Sequence, residues 1–360
     1  MSKTMATDPM CFDDVSWRSQ IKRSVRSMDG LRIYLSNVPD DVPPHGLLKV
    51  GVTPYLLSLM SPDDPDCPIR KQYLYSKKEL DVSDVEQEDP LNEERHRIAG
   101  TSIIHRYPKR VLFLVQNTCA AYCRFCTRKR MVSGEDDYIS KGQLMASLEY
   151  LQKHTEINDV LLSGGDPLLM SDTVLEHLFK EIRALPHIKI LRISSRMPVQ
   201  NPYRLTPAFC KLLRDYNVLL NIHVNHPKEI TPIFVDGVNN LRDAGVTLGS
   251  QTVLLKGIND NAHTLETLFM HLVSIGIRPY YVYTCDRELG NAQFEVSLQD
   301  AQTLVCQLRG YISGVAMPTF VVDGEGGIGK IPLEPARVII TDGDTNTLIN
   351  YEGEVRHVPA

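Results

Sequence analysis

Between residues 111 and 283 the chain alternates short apolar runs with longer stretches in which apolar side chains recur every three or four positions. The short runs predict strands over 111–115, 159–162, 188–193, 218–223, 247–255 and 278–283. The intervening stretches predict helices over 143–153, 172–184, 207–215, 235–244 and 263–275. Strands joined by helical crossovers pair in parallel, and right-handed crossovers coil such a sheet into an open or closed barrel. The expected fold is therefore α/β, with the active face at the C-terminal ends of the strands.

Before residue 100 the pattern changes. Ile21, Val25, Met28, Leu31 and Leu35 share one helical face, which predicts an amphipathic helix over 17–35 with Gly30 as its weak point. Pro39, Pro43 and Pro44 stop regular structure, a short helix begins at Tyr55, and 61–69 is rich in Asp and Pro, as turns are. The stretch 81–94 is acidic and expected to be solvated. These shifts divide the chain into a mainly helical N-terminal extension (1–100), a barrel (101–290) and a short C-terminal segment (291–360).

A chain of 360 residues is long enough to bury a core without disulfides. Its 39 Lys and Arg against 44 Asp and Glu leave a net charge of -5, so no global field draws it to nucleic acid or an anionic membrane. No apolar run reaches the roughly 18 residues of a membrane span, and the N-terminus carries no export signal, so a cytoplasmic location is expected. Of eight cysteines, three crowd together as Cys119, Cys123 and Cys126, spaced C-x3-C-x2-C. Three thiolates leave one iron of a [4Fe-4S] cluster without a protein ligand, and the amino and carboxylate groups of S-adenosylmethionine suit that open iron. One electron passed into the sulfonium would release a 5'-deoxyadenosyl radical. A zinc knuckle or three buried thiols are the other uses of such a triplet, although zinc ordinarily takes a fourth Cys or His.

Reactive residues recur just after the predicted strands: Cys119 after the first, Ser163 to Asp166 after the second, Ser194 to Arg196 after the third, His223 to His226 after the fourth, and Cys285 and Asp286 after the sixth. Taken with His105 to Pro108 (HRYP), the cysteine run CAAYCRFCTRKR, SGGDPL at 163–168, NIHVNHPKEIT at 221–231, QTVLLKGIND at 251–260 and PYYVYTCD at 279–286, the chain resembles the lysine 2,3-aminomutase family of radical S-adenosylmethionine enzymes. The resemblance begins near residue 50 and runs through most of the rest. It implies a crescent-shaped partial (β/α)6 barrel of TIM-like type and a second cofactor, pyridoxal 5'-phosphate. The implied chemistry moves the amino group of an α-amino acid to its β-carbon. It also implies an electron donor such as flavodoxin or ferredoxin, and a homo-oligomer.

The family's cofactor lysine matches Lys330, at the end of DGEGGIGK (323–330); a lysine amine can bond to the cofactor's aldehyde. That run is not a nucleotide-binding loop, because Ile331 stands where such loops have Ser or Thr. Arg106 and Arg110 match positions facing the cofactor phosphate, and Tyr107 an aromatic beside its ring. Ser163, Gly164, Gly165 and Asp166 match the strand end that binds the methionine amine, while Arg196, His223 and Gln251 are expected to line the adenosyl or pyridoxal side. Arg124 is read as a support for the methionine portion or the cluster. Arg128 matches the residue that grips the substrate carboxylate, and Asp286 and Asp323 match the pair that binds the distal ammonium of lysine.

Paired carboxylates suit a cationic substrate and disfavour glutamate. L-Lysine is the leading substrate, giving β-lysine, with arginine as its rival and a non-catalytic iron–sulfur protein as the reading from another class. Glu325 and Ile328 depart from the usual family loop. Asn261 replaces a cysteine of the zinc site found in the long enzymes of the family, so no zinc is expected.

Overall fold

The structure, a computed structural model, describes residues 16–40, 43, 48–133, 139–335, 338–340 and 345–359. Nine strands form one sheet in chain order: β1 (Ile103–Tyr107), β2 (Arg110–Gln116), β3 (Asp159–Gly164), β4 (Ile190–Ser195), β5 (Val218–His223), β6 (Leu248–Leu254), β7 (Arg278–Thr284), β8 (Thr319–Gly324) and β9 (Gly329–Pro332). Strands β2 to β8 run parallel, while β1 and β9 fold back as antiparallel hairpins on the two edges. Since β1 and β9 are not hydrogen-bonded neighbours, the curled sheet is an open partial barrel.

The six predicted strands are β2 to β7, and the structure adds a seventh parallel strand and both edge hairpins. The segment set apart at residue 291 thus supplies the helix Leu298–Leu308, β8 and β9 to the same sheet. Its last strands, β10 (Val338–Ile340), β11 (Thr345–Ile349) and β12 (Val355–Pro359), make a separate antiparallel sheet.

Crossover helices start where a capping side chain accepts a backbone N–H: Ser140, Ser171, Thr206, Thr231 and Asn261 each do so. Pro207 and Pro232 follow two of these caps, where a missing N–H costs nothing. Apolar periodicity begins only after a cap, which is why the helix predicted from 235 starts at Pro232.

Strand side chains alternate between faces. Val160, Leu162, Leu191, Ile193, Leu220 and Ile222 are fully buried, in one core with Phe179, Phe209, Phe234 and Phe269 of the helices. The alternate set, including Ser163, Arg192, Ser194, Asn221, His223, Gln251, Tyr281 and Tyr283, lines a cavity on the concave face.

The helix predicted over 17–35 is two short ones, Trp17–Lys22 and Met28–Arg32. Val25 between them leaves the helical path to pair with Val52 through both backbone hydrogen bonds, and Ser27 caps the second helix by accepting from Gly30. Met28, Leu31, Leu35, Leu56, Ile69 and Tyr73 form a second core that reaches Ala121 and Cys123, so the extension covers the back of the cysteine loop. The acidic stretch is also not all solvated: Glu86 and Glu93 are buried. Among the described residues no helix is long and apolar enough to cross a membrane.

Candidate active site

The concave face lines a cavity of about 350 Å³, and of the residues singled out above as catalytic, cofactor, cluster or substrate candidates all but Arg124 border it. The segment after β2 brings Cys119, Cys123 and Cys126 to one wall as unpaired thiols. Two glycines fix that wall. A Cβ on Gly164 would lie 1.9 Å from the Gln116 carbonyl oxygen, and one on Gly165 would lie 2.3 Å from that of Thr118. The SGGD run thus lets the end of β3 lie directly on the backbone leading into Cys119. Asp166 braces the same loop, accepting from Ser195 Oγ at 2.7 Å and from the amides of Leu168, Arg196 and Met197.

Donors already aim at two of the sulfurs. Arg196 Nη1 lies 3.2 Å from Cys123 Sγ, Gln200 Nε2 lies 3.6 Å from it, and the Arg128 amide lies 3.4 Å from Cys126 Sγ. Arg196 is held between Tyr73 and Phe125 and paired at 2.7 Å with the fully buried Glu229. Burial pushes all three thiols above their ordinary range, Cys126 to about 11, which disfavours a free thiolate nucleophile. Among the described residues no three His, Cys, Asp or Glu side chains gather closely enough to hold a metal ion, so the thiols share a wall rather than a point.

Other parts of the cavity lining are charged. Lys330 on β9 places Nζ 2.8 Å from Asp323 Oδ2 on β8, and Arg106 Nη2 lies 3.7 Å from Asp323 Oδ1. Arg106, Tyr107 and Arg110 sit at the β1–β2 turn, at the start of β2 rather than at the strand C-termini where the site was expected. The curl of the sheet brings this turn against the last hairpin, with Tyr107 and Arg106 beside Gly329. Arg110 stacks on the Tyr107 ring at 3.7 Å. Arg106 Nε and Nη2 and the Tyr107 hydroxyl are buried without a hydrogen-bond partner, an anomaly for a site meant to stay dry and empty. Asp286, beyond β7, accepts from Thr127, and burial together with nearby Asp323 pushes its carboxyl up to about 6. His223 faces the cavity, bonded to Asn225 and packed on Phe125, and burial lowers its pKa well below normal. Gln251 lies beside it on β6.

Arg128 borders the cavity with Nη1 3.5 Å from Ser163 Oγ, but its other edge is bonded to Glu93. Arg124 does not reach the site: it is fully buried, bonded to Glu79 and to the carbonyls of Leu48 and Lys49, and ties the cysteine loop to the N-terminal extension. Asn261 caps a helix. Ile328 is largely exposed, and the Glu325 side chain lies outside the described residues. Sequence reasoning missed Glu93, Thr127, Arg192, Gln200, Tyr281 and Tyr283. The alternation of β7 with His223 and Gln251 could have found the two tyrosines, whereas Glu93 sits in a run that reads as solvent-facing.

The family model described as the radical SAM superfamily matches residues 113–268, and that described as lysine-2,3-aminomutase matches 305–359. An L-lysine 2,3-aminomutase of Fusobacterium nucleatum is 41% identical over 94% of this chain and 81% of its own length. One of Clostridium subterminale is 40% identical over 96% of this chain and 85% of its own. A glutamate 2,3-aminomutase of Clostridioides difficile is 38% identical over 85% of this chain and 72% of its own.

Proposed function

The chain belongs to the lysine 2,3-aminomutase family of radical S-adenosylmethionine enzymes, and from that premise we propose that it converts L-lysine to β-lysine by moving the α-amino group to the β-carbon. One observation carries the choice of substrate: a single cavity is lined both by the Arg128 guanidinium and by the carboxylates of Asp286 and Asp323. That polarity suits an amino acid with a carboxylate at one end and a cation at the far end. Glutamate would bring a third carboxylate against the two aspartates, which favours the lysine relatives over the glutamate one as the guide.

The residues fit the two groups this chemistry needs. Three unpaired thiols on one wall, with N–H donors aimed at two of them, are suited to three corners of a [4Fe-4S] cluster. Buried Arg106 nitrogens without a hydrogen-bond partner, beside Arg110 and Tyr107, suit the phosphate of pyridoxal 5'-phosphate, and the Lys330 amine suits its aldehyde. When bound, the cluster supplies one electron to S-adenosylmethionine and the pyridoxal ring delocalises an unpaired electron during nitrogen transfer.

The chain's own residues do the rest. Arg128 orients the substrate carboxylate, and Asp286 with Asp323 neutralises the distal ammonium in a cavity largely withdrawn from water. Tyr122, clustered with Cys119 and Cys126, and Phe125, clustered with Cys123, shield the thiols from solvent. An electron donor such as flavodoxin or ferredoxin, a homo-oligomer and a cytoplasmic setting complete the reading, with no role for zinc.

Pyridoxal phosphate added to the protein should develop the visible absorbance of a lysine-bound aldehyde, and Lys330→Ala should abolish it. Unchanged absorbance in Lys330→Ala would remove this lysine from the mechanism.

A further inference from the structure

The Arg128 side chain is only 20% exposed, and a guanidinium so largely withdrawn from water gains from a compensating partner even when no substrate is present. Glu93 is that partner. Its carboxylate takes one edge of the fork, with Nε at 2.9 and 3.1 Å from the two oxygens and Nη2 at 2.6 Å from one of them. A guanidinium offers two edges for bidentate bonding, and Glu93 fills the one containing Nε. The edge containing Nη1 is left toward Ser163 and the cavity.

Glu93 is itself held on both sides. Its amide and that of Glu94 donate to the Asp89 carboxylate at 2.9 and 3.0 Å, and Asp89 is paired with Arg130 at 3.2 Å. The same stretch bonds to the loop carrying Asp286, through Gln87 N to Arg287 O at 2.8 Å, and to the β8–β9 turn, through Asn92 Nδ2 to Gly326 O at 3.4 Å. A short strap of chain therefore ties Arg128 to the loop that carries Asp286 and to the hairpin that carries Asp323.

Resting on the function proposed above, we propose that Glu93 is a positioning residue for substrate recognition: it clamps the Nε edge of Arg128 so that the Nη1 edge meets the α-carboxylate at a fixed distance from Asp286 and Asp323. The competing picture has Glu93 as a plug that the substrate carboxylate displaces. The two differ in sign. A plug weakens substrate binding, whereas a clamp strengthens it.

The test uses the reconstituted holoenzyme under anaerobic conditions with L-lysine, comparing wild type with Glu93→Gln, Glu93→Asp and Glu93→Ala. Inhibition by 1,5-diaminopentane, which has both amines of lysine but no carboxylate, is measured in parallel. The clamp predicts that Glu93→Gln raises KM for lysine about tenfold and Glu93→Ala more, as for loss of one or more charge-assisted hydrogen bonds, with kcat within about threefold of wild type. It also predicts an inhibition constant for 1,5-diaminopentane unchanged within about twofold, because that probe does not use Arg128. An unchanged or lowered KM in Glu93→Gln overturns the proposal, as does a diaminopentane constant that rises in step with KM. If all three variants lose bound iron or pyridoxal absorbance, Glu93 holds the fold and the proposal also fails. A wild type inert toward every basic amino acid instead overturns the function on which the inference rests.

Discussion

Asp323 and Lys330 are directly paired residues on adjacent antiparallel strands, and their side chains meet at 2.8 Å on the cavity side of the last hairpin. Seven residues apart in sequence, they are neighbours because the glycine-rich turn between them folds β9 back onto β8. The acid proposed to face the substrate cation thus also holds the amine proposed to face pyridoxal phosphate. Asp323→Asn should lower kcat/KM for lysine by about ten- to a hundredfold, the scale of a lost charge-assisted hydrogen bond of ~1.5–3 kcal/mol. Pyridoxal absorbance should persist, since Lys330 is intact. Steady-state kinetics and a visible spectrum of the same preparation check both statements.

Asp286 gives the site a pH dependence. Its folded-state pKa, pushed up from 3.8 to about 6 by burial and by Asp323, means that the folded protein holds a proton that the unfolded chain releases between those values. Stability therefore falls as pH rises from about 4 to 6, while the carboxylate needed for a cationic substrate forms only above about 6. Thr127, Asp323, Lys330 and Arg128 are the groups acting on it. Lysine affinity should fall below about pH 6 in wild type, and Asp286→Asn should flatten that limb of the profile at a lower affinity throughout.

Gly164 has φ of 130° and touches the Gln116 carbonyl where a side chain would begin. Gly164→Ala must therefore strain the backbone and part β3 from the cysteine loop, a combined cost of at least ~1–3 kcal/mol. The expected outcome is a lower melting temperature together with reduced iron per chain after anaerobic reconstitution. Wild-type iron content in a folded Gly164→Ala protein would contradict this account of the wall.

These cases show what the sequence could tell and what it could not. Short apolar runs with helical spacing between them marked β2 to β7, because each of those strands pairs on both edges and needs apolar side chains facing the helices. Strands β1 and β9 escaped notice because HRY and GK carry site chemistry where core residues would otherwise announce a strand, whereas β8, with its apolar TFVV, lay in the segment read as separate from the barrel. The motif residues were legible because short spacings keep them together. Glu93 was not: its role depends on a strap crossing from the N-terminal extension to loops about two hundred residues later, a relation no local pattern encodes. The sequence likewise sets Arg124 beside the cysteines without revealing that its side chain turns toward Glu79 and away from the cavity.

Arg124 and Glu79 make a fully buried ion pair, with Nε 2.8 Å from Oε1. Removing one partner strands the other without water, so Arg124→Ala should cost about 3–5 kcal/mol of stability. The double variant Arg124→Met with Glu79→Met should recover part of it. Denaturant unfolding of the three proteins tests this, and an Arg124→Ala protein of wild-type stability would show that the pair is dispensable.

The central claim is that three thiols and a charge-polarised cavity make one radical aminomutase site for a basic amino acid. It is tested most directly by incubating reconstituted, reduced protein anaerobically with S-adenosylmethionine, pyridoxal phosphate and, separately, L-lysine, L-arginine, L-ornithine and L-glutamate, then resolving products by chiral chromatography. The account predicts β-lysine from lysine, little product from glutamate, and none from Cys123→Ala. A β-amino acid formed chiefly from glutamate, or full turnover by Cys123→Ala, would contradict it.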